Sequence, residues 1–209
     1  MEAAKVCGRV HSVQSLGAVD GPGMRSVVFL QGCPLRCEWC ANPESQHAEP
    51  ELSCRPSKCI GCRACTAACP TGAAAVAAGG RIQVDRAACR SCFACARACC
   101  SGALSRIGEE LDARTLVERV MAQPMSWRAE GGVTLSGGEP LAQPDFAAEL
   151  LQRFREEGVG TALETCGYVP FEAFQKAAPF CQLIFFDLKC MAPEVHRRYT
   201  GVDNRRILD

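Results

Sequence analysis

The sequence predicts an α/β protein: a parallel sheet with its helices outside, interrupted after the first strand by a cysteine-rich module. Three observations carry that prediction. Short apolar, β-branched runs alternate with amphipathic stretches through the last hundred residues. Each apolar run ends in something polar or glycine-rich. The chain also carries 17 cysteines, most of them in tight C-x2-C and C-x3-C clusters. Three regions follow from composition: 1–50 with the first strand and a cysteine triplet, 51–105 rich in Cys and Ala, and 106–209 with the remaining β/α units.

In the first region, Ser26-Val27-Val28-Phe29-Leu30 is an apolar run bounded by Gly23 and Gly32, which reads as a buried strand. The turn chemistry of Asp20-Gly21-Pro22-Gly23 precedes it, and Cys33-Pro34-Leu35-Arg36-Cys37-Glu38-Trp39-Cys40 follows in the next loop. The middle region is an internal repeat: Cys59, Cys62, Cys65 and Cys69 are echoed thirty residues later by Cys89, Cys92, Cys95 and Cys99. Between the copies, 81–85 alternates like a short strand. In the third region Asp112 caps a helix bearing Leu116, Val117, Val120 and Met121 on one face. Val133-Thr134-Leu135 is a strand running into Gly137-Gly138-Glu139-Pro140. Phe146, Leu150, Leu151 and Phe154 form a helical stripe, 161–164 is a strand ending at Glu164-Thr165, and Pro170 opens a helix with Phe171 and Phe174. The strand 183–187 ends on Asp187, followed by Leu188-Lys189. In parallel α/β sheets, sites form at the carboxyl ends of strands. The four strand ends therefore converge on one rim.

Composition narrows the classes. The chain has 209 residues, zero formal net charge and 48% hydrophobic residues, enough for one core plus a small module. Balanced charge gives no reason to expect nucleic acid or membrane as partner. No apolar run approaches the ~20 residues of a membrane span, and 1–12 has no hydrophobic signal core. An odd count of closely spaced cysteines favours metal ligation over disulfides and implies a reducing, cytoplasmic, anaerobic setting. The Cys-rich region has too little apolar bulk to stabilise itself by burial, so bound clusters would supply folding energy.

A cubane iron–sulfur cluster normally takes four cysteines. Cys33, Cys37 and Cys40 supply three, which leaves one iron open to a small molecule. The alternative is a zinc site completed by Cys7 or Cys54. The paired C-x2-C-x2-C-x3-C runs match the bacterial two-cluster ferredoxin arrangement, in which the fourth cysteine of each run serves the other cluster. Cys59, Cys62, Cys65 and Cys99 then hold one [4Fe–4S] cluster, and Cys89, Cys92, Cys95 and Cys69 the other. Cys100 stands where proline is usual, which leaves Cys99 and Cys100 both open as ligand; spacing favours Cys99. Electron delivery is the expected role, with a purely structural one as the alternative. Cys7, Cys54, Cys166, Cys181 and Cys190 read as free cysteines; His11, His47 and His196 receive no role.

Cys33-x3-Cys37-x2-Cys40 resembles the signature of radical S-adenosylmethionine (radical SAM) enzymes. Asp20-Gly21-Pro22-Gly23-Met24-Arg25, the stretch from Gly32 to Ser45, Trp127-Arg128, Gly131 to Leu141, Glu164-Thr165, Phe186-Asp187-Leu188-Lys189 and Thr200-Gly201-Val202 together resemble the glycyl radical enzyme activating enzymes. The double cluster insert resembles the branch that activates decarboxylases, dehydratases and lyases, whereas the pyruvate formate-lyase activator lacks it. The resemblance implies a (β/α) radical SAM barrel with a ferredoxin-like insert. It implies reductive cleavage of SAM to methionine and a 5′-deoxyadenosyl radical, which removes a hydrogen from a glycine of a partner enzyme. Flavodoxin or ferredoxin would donate the electron.

By the same resemblance, Trp39, Ala41, Gly137, Gly138, Glu139, Asp187, Leu188 and Lys189 contact SAM. Glu164, Thr165, Asp187 and the Phe185 carbonyl line a monovalent cation site. The family barrel has six β/α units against four strands expected here, so the chain is expected to form a partial barrel, truncated at its C-terminus. The competing expectation is an inert iron–sulfur electron-transfer protein.

Overall fold

The computed structural model describes residues 5–123 and 130–209; Trp127 and Arg128 lie outside the described residues. Strands β1 (Cys7–Gly17) and β2 (Arg25–Leu30) come first. They are followed by β3 (Glu51–Cys54), α1 (Ala64–Ala68), β4 (Ala74–Val76), β5 (Ile82–Val84), α2 (Ala94–Arg97) and β6 (Leu104–Ile107). Next come β7 (Glu109–Asp112), α3 (Ala113–Met121), β8 (Gly132–Gly137), α4 (Pro144–Glu156) and β9 (Gly160–Thr165). The chain continues through α5 (Phe171–Ala177), β10 (Leu183–Phe186), α6 (Pro193–Thr200) and α7 (Arg205–Leu208). Two compact units result: residues 50–107 form one, and 1–49 with 108–209 form the other.

The larger unit is built on a six-stranded sheet in the order β10-β9-β8-β2-β1-β7. The strands read from sequence as 26–30, 133–135, 161–164 and 183–187 are β2, β8, β9 and β10, and they pair in parallel. β1 and β7 add an antiparallel margin. Side chains alternate between the faces of a strand. Val28, Leu30, Val133, Leu135 and Leu163 pack in one apolar cluster with Leu116 and Val120 of α3, and Phe146, Leu150, Leu151 and Phe154 of α4. The opposite face carries Arg25, Val27, Phe29, Thr134, Ser136, Ala162 and Glu164. It is polar at both ends. At the amino ends of the strands, buried Arg25 donates to Thr134 Oγ1 (2.7 Å), Val133 O (2.9 Å) and Gly160 O (3.2 Å), so its charge is spread over neutral acceptors. At the carboxyl ends stand Ser136, Glu164 and, beyond β10, Asp187.

β10 is an edge strand, and Leu183, Ile184, Phe185 and Phe186 are all exposed. The smaller unit is two-fold repetitive. β3 pairs with β6 and β4 with β5, all antiparallel, over a core of Leu52, Cys65, Ala74, Ile82, Cys95, Ala103 and Leu104. Both of its helices start after a residue in the left-handed region, Arg63 (φ 60°) and Phe93 (φ 58°). Among the described residues, no helix is long and apolar enough to cross a membrane.

Candidate active site

The carboxyl ends of the parallel strands open on a cavity of about 310 Å³, at the lower end of the size range of small-molecule sites. Its walls combine the cysteine loop (Cys33, Cys37, Trp39, Cys40, Ala41) with Ser136, Gly137 and Gly138 after β8. Glu164, Thr165 and Cys166 enter from β9, and Asp187 and Lys189 from β10. Residues spread over more than 150 positions of sequence thus meet at one rim because parallel strands deliver their ends to the same side.

Backbone hydrogen bonds fix the cysteine loop. Gly32 N donates to Ser45 O (2.7 Å) and Cys33 N to Gln46 O (3.0 Å). Farther along, Arg36 N donates to Thr200 O (2.7 Å) and Glu38 N to Tyr199 O (3.0 Å). Leu35 is buried and anchors the loop, while the three cysteines stay partly accessible on the cavity side. Trp39 is 53% exposed, with its ring 5.9 Å from that of Tyr199.

The glycines after β8 are needed by the protein's own backbone. A Cβ on Gly137 would lie 2.4 Å from Leu30 N and O, and one on Gly138 would lie 2.3 Å from Gly32 O. Their role in letting the β8 loop close against the start of the cysteine loop comes before any role toward a ligand.

Glu139 is fully buried and is not among the residues lining the cavity. Its Oε1 accepts from Leu141 N (2.9 Å) and Thr165 Oγ1 (2.9 Å), and its Oε2 from Cys166 N (2.7 Å). Burial raises its pKa, against which those donors work. It braces the β8 and β9 ends from behind. Leu188 is likewise absent from the lining.

The remaining polar groups form two pairs. Ser136 Oγ donates to Glu164 Oε2 at 2.5 Å, and burial pushes the Glu164 carboxyl up. Lys189 is ion-paired with Asp187; burial opposes its charge, but the Asp187 carboxylate outweighs it and holds the ammonium above the usual lysine range. The cavity thus offers four thiols, two carboxylates and an ammonium, a donor set suited to a metal cluster and a zwitterionic ligand. Sequence reasoning did not single out Ser136, and it took Cys166 for an ordinary free cysteine. Cys166 is buried in the cavity wall and shares a thiol hydrogen bond with Cys33, which, more than burial, drives its pKa far upward.

In the smaller unit, the two runs are matched atom for atom around their fourth cysteines. Cys69 Sγ receives Ala74 N (3.5 Å) and lies 3.6 Å from Thr71 Oγ1. Cys99 Sγ receives Leu104 N (3.3 Å) and lies 3.6 Å from Ser101 Oγ. Led by the Ala74 amide, these donors lower the Cys69 pKa to about 7. Cys100 is exposed. Among the described residues, no three His, Cys, Asp or Glu side chains converge tightly enough to hold a single metal ion. A cubane asks for less convergence, since each cysteine binds a different iron corner. Amide donors to sulfur are a recognised determinant of cluster properties, and the donor sets at Cys69 and Cys99 fit that role.

A family model described as the radical SAM superfamily matches residues 27–209. The chain belongs to the radical SAM superfamily. Within it, the chain is 45% identical to the (2S)-3-sulfopropanediol sulfolyase activating enzyme of Bilophila wadsworthia, across 96% of this chain and 68% of that protein. It is 42% identical to the isethionate sulfite-lyase activating enzyme of Desulfovibrio desulfuricans, across 97% and 66%. It is 40% identical to the choline trimethylamine-lyase activating enzyme of Oleidesulfovibrio alaskensis, across 95% and 65%. These likenesses place the chain among the glycyl radical enzyme activating enzymes, and it spans about two thirds of the length of these relatives. Radical SAM enzymes use a [4Fe–4S] cluster and SAM, and the parallel strand ends with the Cys33 loop are where this chain would accommodate them.

Proposed function

We propose that this chain is a glycyl radical enzyme activating enzyme whose SAM chemistry takes place in the cavity at the carboxyl ends of β2, β8, β9 and β10. One observation carries the reading: the fold brings Cys33, Cys37 and Cys40 to the same cavity as Gly137, Gly138, Glu164, Thr165, Asp187 and Lys189. The three thiolates would hold three irons of a [4Fe–4S] cluster and leave the fourth for SAM. Bound there, cluster and SAM supply one-electron cleavage of the sulfonium and a hydrogen-abstracting 5′-deoxyadenosyl radical. Lys189 would meet the SAM carboxylate, and the backbone of Gly137 and Gly138 its amino group. Trp39 and Ala41 would lie along the nucleoside. Glu164, Thr165 and Asp187 would take a monovalent cation.

The smaller unit, a ferredoxin-like insert, would hold two further [4Fe–4S] clusters, Cys59/Cys62/Cys65/Cys99 and Cys89/Cys92/Cys95/Cys69, and relay the electron from flavodoxin or ferredoxin. What supports Cys99 over Cys100 is the equivalence of its surroundings to those of Cys69. The named relatives activate sulfolyases, sulfite-lyases and a trimethylamine-lyase, and the proposed partner is an enzyme of that lyase kind.

The test is iron and sulfide analysis with SAM turnover. Anaerobically reconstituted protein should carry about twelve irons, the sum for three cubanes, and form 5′-deoxyadenosine under dithionite. Cys37→Ala should leave about eight irons, the two remaining cubanes, and form none. Cleavage that survives Cys37→Ala would refute the site.

A further inference from the structure

We infer that His196 is a positioning residue for the cysteine loop: it locks the last turn of α6, whose free carbonyls hold Cys37 in place opposite Asp187 and Lys189. The inference rests on the reading of Cys33, Cys37 and Cys40 as the ligands of the SAM-binding cluster.

The last four carbonyls of a helix have no intrahelical partner. In α6 two of them are used by a distant segment. Tyr199 O accepts from Glu38 N (3.0 Å) and Thr200 O from Arg36 N (2.7 Å). Arg36 and Glu38 flank Cys37, so the backbone on both sides of that cysteine hangs from the end of α6. The Trp39–Tyr199 ring contact adds a third tie to the same turn. Gly201 ends the helix in the left-handed region (φ 87°), with its N–H on Arg197 O (3.0 Å).

What keeps this turn in one shape is a buried polar knot. His196 and Thr200 are both fully buried. His196 Nδ1 lies 2.6 Å from Val202 O. A carbonyl only accepts, so Nδ1 carries the proton. Thr200 Oγ1 lies 2.8 Å from His196 O and 3.0 Å from His196 Nδ1. Ring, hydroxyl and carbonyl thereby fix the path from Thr200 to Val202. At the other end of the same segment, buried Asn204 donates through Nδ2 to Cys190 O (2.9 Å) and Met191 O (2.7 Å), directly after Lys189. Residues 187–204 are therefore closed on themselves. Their first residues line the cavity, and their last helical turn grips the loop of Cys37. Supporting shells of this kind orient ligands that they do not themselves supply.

The test compares His196→Asn, which restores an N–H donor near the Nδ1 position, with His196→Leu, which fills similar space without a donor. The readout is the change that SAM causes in the low-temperature EPR spectrum of the reduced, fully reconstituted protein, together with the SAM dissociation constant. His196→Leu should lose the SAM-dependent spectral change and bind SAM about tenfold more weakly. His196→Asn should recover most of both. A residue that merely stabilised the fold would lower the thermal midpoint in the Leu variant and leave the SAM response of the folded protein as in wild type, and that result overturns the inference. If His196→Leu does not fold, Thr200→Val, which removes the hydroxyl at constant volume, is read in the same way: weaker SAM binding supports the inference, and wild-type binding overturns it. Failure of the underlying site reading has its own signature, since the wild-type protein would then show no SAM-dependent change.

Discussion

Glu139 accepts the backbone N–H of Cys166 at 2.7 Å, and through this bond the loop after β8 is fastened to the end of β9. The same carboxylate takes Thr165 Oγ1 and Leu141 N on its other oxygen. Glutamine at 139 would keep one acceptor and turn an NH2 toward one of these donors. Leaving a buried N–H unpaired costs about 1–3 kcal/mol. Glu139→Gln should therefore lower the urea midpoint of the ligand-free protein at unchanged slope. If Glu139 instead acted only on ligand, SAM affinity would fall while the midpoint stayed where it was.

Gly138 faces a harder constraint. A methyl group there would meet Gly32 O at 2.3 Å and Ser45 O at 2.7 Å, both backbone atoms. Gly138→Ala should shift the start of the cysteine loop at a cost of about 1–3 kcal/mol, the usual range for overpacking. Iron content should drop toward that of the two clusters proposed for residues 50–107. Full iron content and an unchanged unfolding midpoint would show that the loop absorbs the methyl.

Cys99 and Cys100 are adjacent in sequence but differ in surroundings. Leu104 N and Ser101 Oγ converge on the Cys99 sulfur, whereas Cys100 is exposed. Cys99→Ser should lower iron by about four per chain, one cubane, and Cys100→Ser should leave it unchanged. The reverse pattern would move the ligand to Cys100.

Asp112 caps α3, its Oδ1 accepting Thr115 N (3.0 Å) and its Oδ2 Thr115 Oγ1 (2.6 Å). The Thr115 hydroxyl, then its amide, holds the carboxyl below the usual aspartate range. A depressed carboxylate stabilises the fold above its unfolded pKa, and that contribution fades as pH falls through the folded value. The thermal midpoint of Asp112→Ala should trail wild type at neutral pH. The gap should narrow below about pH 4, where an ordinary aspartate is protonated. A gap independent of pH would mean that the charge plays no part.

The parallel strands were legible because buried apolar runs next to glycine or charge leave few other readings. Val27, Leu135 and Leu163 announce themselves. β1 was missed because its buried positions are only Gly8, Val10 and Gly17, too sparse to read as an apolar run, and because its pairing with β2 shifts register twice. α6 was missed for a related reason: the side chains it buries are His196 and Thr200, so no apolar stripe marks it. The cysteine triplet, Asp187 and Lys189 were readable as chemistry from spacing and family resemblance. Glu139 belonged to the same resemblance, yet only its depth in the fold separates a brace from a ligand contact. Cys166 and Ser136 carry no spacing signal at all. Their place in the cavity wall depends on which strand lies beside which.

The pairing of β3 with β6 sets Glu51 opposite Ile107, so the cysteine-rich unit begins and ends at neighbouring points. A module whose two ends meet asks of its host only a short gap in one loop. It can be lengthened, exchanged or deleted in an ancestor without re-threading any strand of the larger sheet. On this geometry residues 50–107 are a self-contained cassette, and excising them would leave the larger sheet with a simple turn between residues 49 and 108.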